Sequence, residues 1–583
     1  MTRTLKAALL AASLALAVAP ATAQEMRGIP APAQLNASER ENYRAIFTAL
    51  RAQDWAVAAG RLDGMRDGPL HNLARAMLYS MPGSPRVENG PLLELLARAP
   101  ELPQAEALAR LARSRGAETL PDLPQAQRLV GLAGQPRRAR PRPIRGDAVA
   151  DRLEPLIQPL IRDDHPVEAE ALLETRINEL SEEARTAFRQ RIGWTYYLNG
   201  MDVEARRIGD IARTGPTEYA IHAEWTSGLA AWRMGDYRAA ADHFANVAQR
   251  STDVELIAAG HYWAARADTA GAHPERVQQR LRAAARLGET FYGLLAQSAL
   301  GMRSPPADMT TFTERDWRAL NDVRNARAAI ALSEIGENEM AAELIRRQAQ
   351  IGNPRDHEHL IHLAARLNLT ATQMYLAHNG PRGSHFGPNE RYPTPNWRPA
   401  RGWRVDPALA FAHALQESQF RPNVTSPAGA RGLMQVMPGT SRWMARVNGT
   451  AATINPAQLF DPATNIEYGQ TFLEYLRDYS GTGGLLPKVI ASYNAGPAPI
   501  AEWNNRYDQS DPLLYIEGIP YWETRGYVPI ILRNYWIYEA RGGDQSSSRR
   551  ALVQGMWPRF PGLPGPTAVR IPPRPRQTAM GQQ

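Results

Sequence analysis

The 583-residue chain contains no cysteine. That absence excludes disulfide staples, thiolate metal sites and a lipid carried on an N-terminal cysteine, so stability must come from apolar cores alone. Past the first two dozen residues no apolar run is long enough to cross a bilayer, so no transmembrane segment is expected and the mature chain should be soluble. Excess charge is also missing from the body. The formal net charge is +8, but Arg3 and Lys6 lie in the leader, and Arg549, Arg550, Arg559, Arg570, Arg574 and Arg576 lie in a tail without acids. What remains, from Gln24 to Asp544, is formally neutral. Such a body gives no reason to expect a nucleic-acid partner, and a basic tail of this kind is expected to be disordered and solvated.

The first segment reads as an export signal, residues 1–23. Arg3 and Lys6 supply its charge, Ala7 to Val18 its apolar stretch, and Ala21-Thr22-Ala23 a small-residue cleavage site. Residues 24–135 read as short amphipathic helices, broken often by Pro and Gly and nearly free of β-branched alternation. Residues 136–147 carry Arg137, Arg138, Arg140, Arg142 and Arg145 among prolines and read as a solvated linker. From 148 to 385 helices pair more regularly. Ala231-Trp232-Arg233-Met234-Gly235-Asp236-Tyr237, with Ala240 and Phe244, has the spacing of a tetratricopeptide-like helix hairpin, and weaker versions lie on either side. The expectation is an all-α chain: an α-superhelical solenoid in which each helix pair is stabilised by its neighbours. A connector follows at 386–402, then a second helical domain at 403–542, and the basic Pro/Gly-rich tail at 543–583.

The most informative stretch runs from Glu417 to Thr440. Asp406-Pro407 predicts a helix start, with Asp as N-cap and Pro at the first helical position. Leu409, Ala412 and Leu415 give that helix an apolar face. Glu417 falls near its end, where the helix dipole disfavours a charged carboxylate. A Pro, Ser and Gly-rich loop follows, then an apolar run carrying the amide of Gln435. An acid so placed, facing a Met-rich wall, can stay protonated near neutral pH. Taken alone, such a glutamate could equally be a solvated helix-terminal residue.

Glu417-Ser418-Gln419-Phe420-Arg421-Pro422, followed by Ser426-Pro427-Ala428-Gly429-Ala430-Arg431-Gly432-Leu433-Met434-Gln435-Val436-Met437-Pro438, closely resembles the first motif of the soluble lytic murein transglycosylases. Three further stretches resemble the motifs that follow in that family: Asn465 to Leu473, Ala491 to Pro497, and Ile519 to Val528. The resemblance implies a helical superhelix followed by a lysozyme-like α-rich catalytic domain, acting in the periplasm on peptidoglycan glycan strands. It implies Glu417 as the catalytic residue, and Ser426, Gln435, Met437, Tyr493 and Glu523 as residues lining the cleft. Ser426 and Gln435 would hydrogen-bond Glu417 or an acetamido group; for Arg525 two readings stay equally open, tying Glu523 in place by charge-assisted hydrogen bonds and a purely structural capping and salt-bridge role. Asn465 reads as a helix cap and Gly469 as a close-packing position, so a structural role is expected for that motif and for Glu467.

Ordinary glycosidases use two carboxylates. The resemblance implies that one does both jobs here, with no metal or organic cofactor. Glu417 would protonate the oxygen between N-acetylmuramic acid and N-acetylglucosamine, then deprotonate the muramyl 6-hydroxyl, closing a 1,6-anhydro ring without water. Two other readings compete: a hydrolytic muramidase with a second carboxylate, and a non-catalytic peptidoglycan-binding scaffold. Other cell-wall enzymes are candidate partners of the superhelix.

Overall fold

In the computed structural model, residues 28–132, 134–302, 311–447, 455–543 and 546–573 are described. The leader expected at 1–23 lies outside them, as do the last residues of the tail. Among the described residues no helix is long and apolar enough to cross a membrane. Helices dominate, and the strands are two-residue pairings such as Val130–Gly131 with Asn379–Gly380.

The chain divides into two compact units that do not follow sequence order. One draws on Met1–Gln125 and Met309–Leu367, the other on Ala126–Asp308 and Asn368–Gln583. The expected continuous solenoid over 148–385 is therefore interrupted. In the first unit Ala37–Arg51 opens with a capping box between Asn36 and Glu39. Its arginines reach far along the sequence, Arg40 to Glu334 at 2.8 Å and Arg51 to Glu337 at 2.6 Å. Local periodicity carries no record of such pairings.

In the second unit the helix hairpin expected around 231–244 is present. Glu218–Met234 and Tyr237–Arg250 are turned by Gly235 at φ +81°, a left-handed backbone that glycine adopts without strain. Trp225, Phe244 and Trp263 interlock with centroids 5.0–6.3 Å apart, so the aromatic residues form core, as their helical spacing predicts. Further along lie the helices Pro407–Ser418, Pro438–Val447, Pro462–Asp478, Leu486–Ala495, Pro497–Arg506, Pro512–Glu517 and Trp522–Arg541.

Two expectations drawn from composition need correction. The tail expected to be disordered is folded from Ser546 onward as far as it is described: Ser547–Val553 is helical, and Trp557–Pro558 pairs with Ala568–Val569. Trp557 and Phe560 are buried, and the Trp557 indole N–H donates to the Gln509 carbonyl at 2.6 Å. A few large apolar side chains outweigh a Pro/Gly/Arg-rich background. The Arg/Pro segment 136–147 is likewise no free linker. Arg138 donates to both carboxylate oxygens of Glu517, at 2.7 and 3.1 Å, and lies over the Trp225 ring.

Candidate active site

The helix Pro407–Ser418 starts as expected. The Asp406 side chain accepts from the Ala408 N–H, and Pro407 takes the first helical position. The helix ends abruptly because Gln419 and Phe420 turn left-handed, at φ +54° and +58°. Glu417 is thus left half-buried in the last turn. The hydroxyl of Tyr527, on the helix Trp522–Arg541, donates to Glu417 Oε1 at 2.5 Å. Burial pushes the Glu417 carboxyl up to about 7, the Glu523 charge pushes the same way, and the Tyr527 hydrogen bond opposes them. An acid tuned to neutrality, set against a phenol, can both give and take a proton.

Behind this pair stands His413, one helical turn before Glu417 and fully buried. Its ring packs 4.7 Å from Tyr493 and 6.1 Å from Tyr527, and burial lowers its pKa to about 4, so the imidazole is neutral. Tyr493 also packs on Phe472 at 5.4 Å and donates to the Met434 carbonyl at 2.8 Å. Burial, reinforced by the charge of Glu417, raises its pKa well above the usual phenol value. Tyr527 and His413 were not singled out by sequence reasoning. The i, i+4 spacing of Glu523 and Tyr527 would have put both on one helix face.

The loop that follows Glu417 is built from the far side. Asn465 is not a helix cap; that role falls to Asp461. Asn465 instead lies inside the helix, accepting from the Met434 N–H and donating to the carbonyls of Arg431 and Leu459, each within 2.7–2.8 Å. Gly432, at φ +74°, crosses so closely that a Cβ would sit 2.1 Å from the Leu459 carbonyl oxygen. Gly469 passes against Met434, where a Cβ would meet the sulfur at 2.2 Å. Glu467 is held by Arg401 and Arg404 at 2.7–2.9 Å, an arrangement that braces the fold.

The remaining candidates divide. Glu523 is exposed and accepts from Asn494 Nδ2 at 3.2 Å, while Thr524 donates to Asn494 Oδ1 at 2.6 Å. Met437 is 40% exposed beside the loop. Ser426 and Gln435 are half-buried in that loop, but neither bonds Glu417. Ser426 Oγ accepts from the Ala430 N–H at 3.0 Å, and Gln435 Nε2 donates to the carbonyls of Gly432 and Val424 at 2.8 and 3.3 Å. Backbone groups of a tight loop claim these side chains first. Arg525 does not reach Glu523. It lies over Trp194 at 4.2 Å and Trp522 at 5.1 Å, and donates to the Ile519 carbonyl at 2.8 Å.

Comparison with known proteins fits this arrangement. Residues 397–516 match the family described as the Transglycosylase SLT domain. Over 155 residues the chain is 37% identical to the soluble lytic murein transglycosylase of Escherichia coli strain K12, covering 26% of this chain and 24% of that protein. The matched stretch thus spans about a quarter of that relative's length. Among solved structures, the 70 kDa soluble lytic transglycosylase from Escherichia coli aligns over 89% of this chain and 99% of its own, with 18% identity and a TM-score of 0.52. An inactive mutant of the lytic transglycosylase Slt from Pseudomonas aeruginosa aligns over 87% of this chain and 74% of its own, with 20% identity and a TM-score of 0.53. At these identities the likeness is one of fold, an α-rich superhelix joined to a lysozyme-like domain.

Proposed function

We propose that this chain, a member through residues 397–516 of the soluble lytic murein transglycosylase family, is a peptidoglycan lytic transglycosylase of the periplasm. It cleaves the β-1,4 bond between N-acetylmuramic acid and N-acetylglucosamine without water and leaves a 1,6-anhydromuramyl end. The observation that carries this reading is the Glu417 carboxyl, with a pKa raised to about 7 and a phenol donating to it.

As acid, Glu417 gives its proton to the bridging oxygen. The bond from that oxygen to the muramyl anomeric carbon breaks, and N-acetylglucosamine leaves with a free 4-hydroxyl. As base, the same carboxylate takes the proton of the muramyl 6-hydroxyl while that oxygen attacks the anomeric carbon. The proton count closes, and Glu417 returns to its starting state. Tyr527 stabilises the carboxylate midway, when Glu417 bears its charge. Tyr493, Met437, Ser426, Gln435 and Glu523 line the cleft, with Ser426 and Gln435 shaping its loop through backbone bonds.

A hydrolase on the same fold is the competing reading, and Glu523 is its candidate second carboxylate because its charge already acts on Glu417. Borohydride treatment of the released fragments separates the two. Ends that resist reduction support the transglycosylase, and reducible muramic ends mean hydrolysis.

A further inference from the structure

The Arg/Pro segment 136–147 forms one wall of a cavity of about 750 Å³ that the reaction does not use. Its opposite walls are Phe188, Arg191 and Trp194 from the helix Glu182–Leu198, Tyr219 and His222 from Glu218–Met234, and Trp522 and Arg525 from Trp522–Arg541. The segment is fixed at its start. Arg138 is clamped on Glu517, the Pro136 carbonyl accepts from Arg533, and the Ala139 N–H donates to Asp253 at 2.6 Å. Just beyond this anchor Arg140 and Arg142 reach the cavity wall, exposed and without ion pair or hydrogen bond among the described residues.

The charges facing the cavity are Arg140, Arg142, Arg191 and Arg525 against Asp151 and Glu154. Glu154 is already matched by Arg191 at 2.6 and 2.9 Å. The cavity therefore keeps an excess of positive charge, concentrated on two uncommitted guanidinium groups. Arg525 covers one face of Trp194 and one of Trp522. A volume of this size suits a peptide of a few residues.

We propose that this cavity is a second binding site, for the acidic peptide carried by the glycan strand, with Arg140 and Arg142 gripping its carboxylates. The peptide's identity rests on the peptidoglycan reading above. Trp522 and Arg525 share one face of their helix, and Glu523 and Tyr527 share the nearly opposite one. The cavity and Glu417 therefore lie on opposite sides of this helix, at least its diameter of ~10 Å apart. A peptide hanging from a sugar near Glu417 has to pass round the start of this helix to enter the cavity.

The test is calorimetric titration of the mature full-length protein with the free tetrapeptide L-Ala-γ-D-Glu-meso-diaminopimelyl-D-Ala and with its fully amidated form. Wild type and Glu417→Gln should bind the acidic peptide equally. R140A/R142A should bind it at least tenfold more weakly, and the single variant Arg142→Gln should fall between. The amidated peptide should bind wild type as weakly as the acidic peptide binds the double variant. Equal binding by the double variant, equal binding of the amidated peptide, or no binding to wild type would overturn the site. Loss of binding in Glu417→Gln would overturn it too, by putting the peptide in the cleft. Because no turnover is needed, a protein that binds the peptide yet cleaves no sacculi would sink the proposed activity and leave this site standing.

Discussion

The Tyr527 hydroxyl and the Glu417 carboxylate lie 2.5 Å apart although 110 residues separate them in sequence. The contact joins the first and fourth motifs, and it opposes the burial that raises the pH at which Glu417 changes charge.

Protonated Glu417 is the acid form. Its pKa of about 7 predicts that kcat/KM declines as pH rises through about 7. Tyr527→Phe removes the bond that lowers this pKa, so the decline should move to higher pH. Lost stabilisation of the carboxylate should cut kcat roughly 10- to 100-fold. Glu523→Gln removes a charge that raises it, so the decline should move to lower pH. Profiles that move together, or not at all, would contradict the assignment.

The same raised pKa has a stability consequence of fixed sign. A carboxyl whose folded pKa lies above its ordinary value of 4.5 contributes stability below that value and loses it as pH rises through about 7. Glu417→Gln should therefore be more stable than wild type at pH 8, by about 2 kcal/mol after allowance for partial exposure. At pH 4 the two should match. Denaturant melts at both pH values check this.

Arg138→Ala leaves Glu517 buried with Tyr292 as its remaining close donor, at 2.7 Å. The expected loss is about 3–5 kcal/mol. Replacing both partners, R138M/E517L, should recover much of it, because no charge is then left uncompensated. A free linker would make Arg138→Ala neutral in the same melts.

Gly432→Ala should cost about 3 kcal/mol and most of the activity. It forces a side chain into a left-handed backbone and against the Leu459 carbonyl. Thermal melting and muropeptide release measured on the same sample would show both losses.

What the sequence made legible follows the range of the interactions. The Glu417 helix rests on Asp406-Pro407 and a local apolar period, and both could be read directly. Gly469 was correctly read as a packing position because only close approach explains a glycine inside that helix. Ser426 and Gln435 were expected to bond Glu417 or an acetamido group, but their partners are backbone groups of a loop whose turns were not read. Tyr527, His413 and the Arg138–Glu517 pair, 379 residues apart, depend on tertiary placement that periodicity cannot encode. Trp557 was hidden by the composition around it: one buried indole organises a segment that averages as polar and Pro-rich.

The most direct test of the account is mass spectrometry of muropeptides released from purified sacculi by the mature protein and by Glu417→Gln. The account predicts fragments lighter by one water, with anhydromuramyl ends, from wild type. It predicts their loss by a factor of about 10³ in the variant, with sacculus binding retained. Fragments with hydrated, reducible ends, or undiminished release by Glu417→Gln, would contradict it.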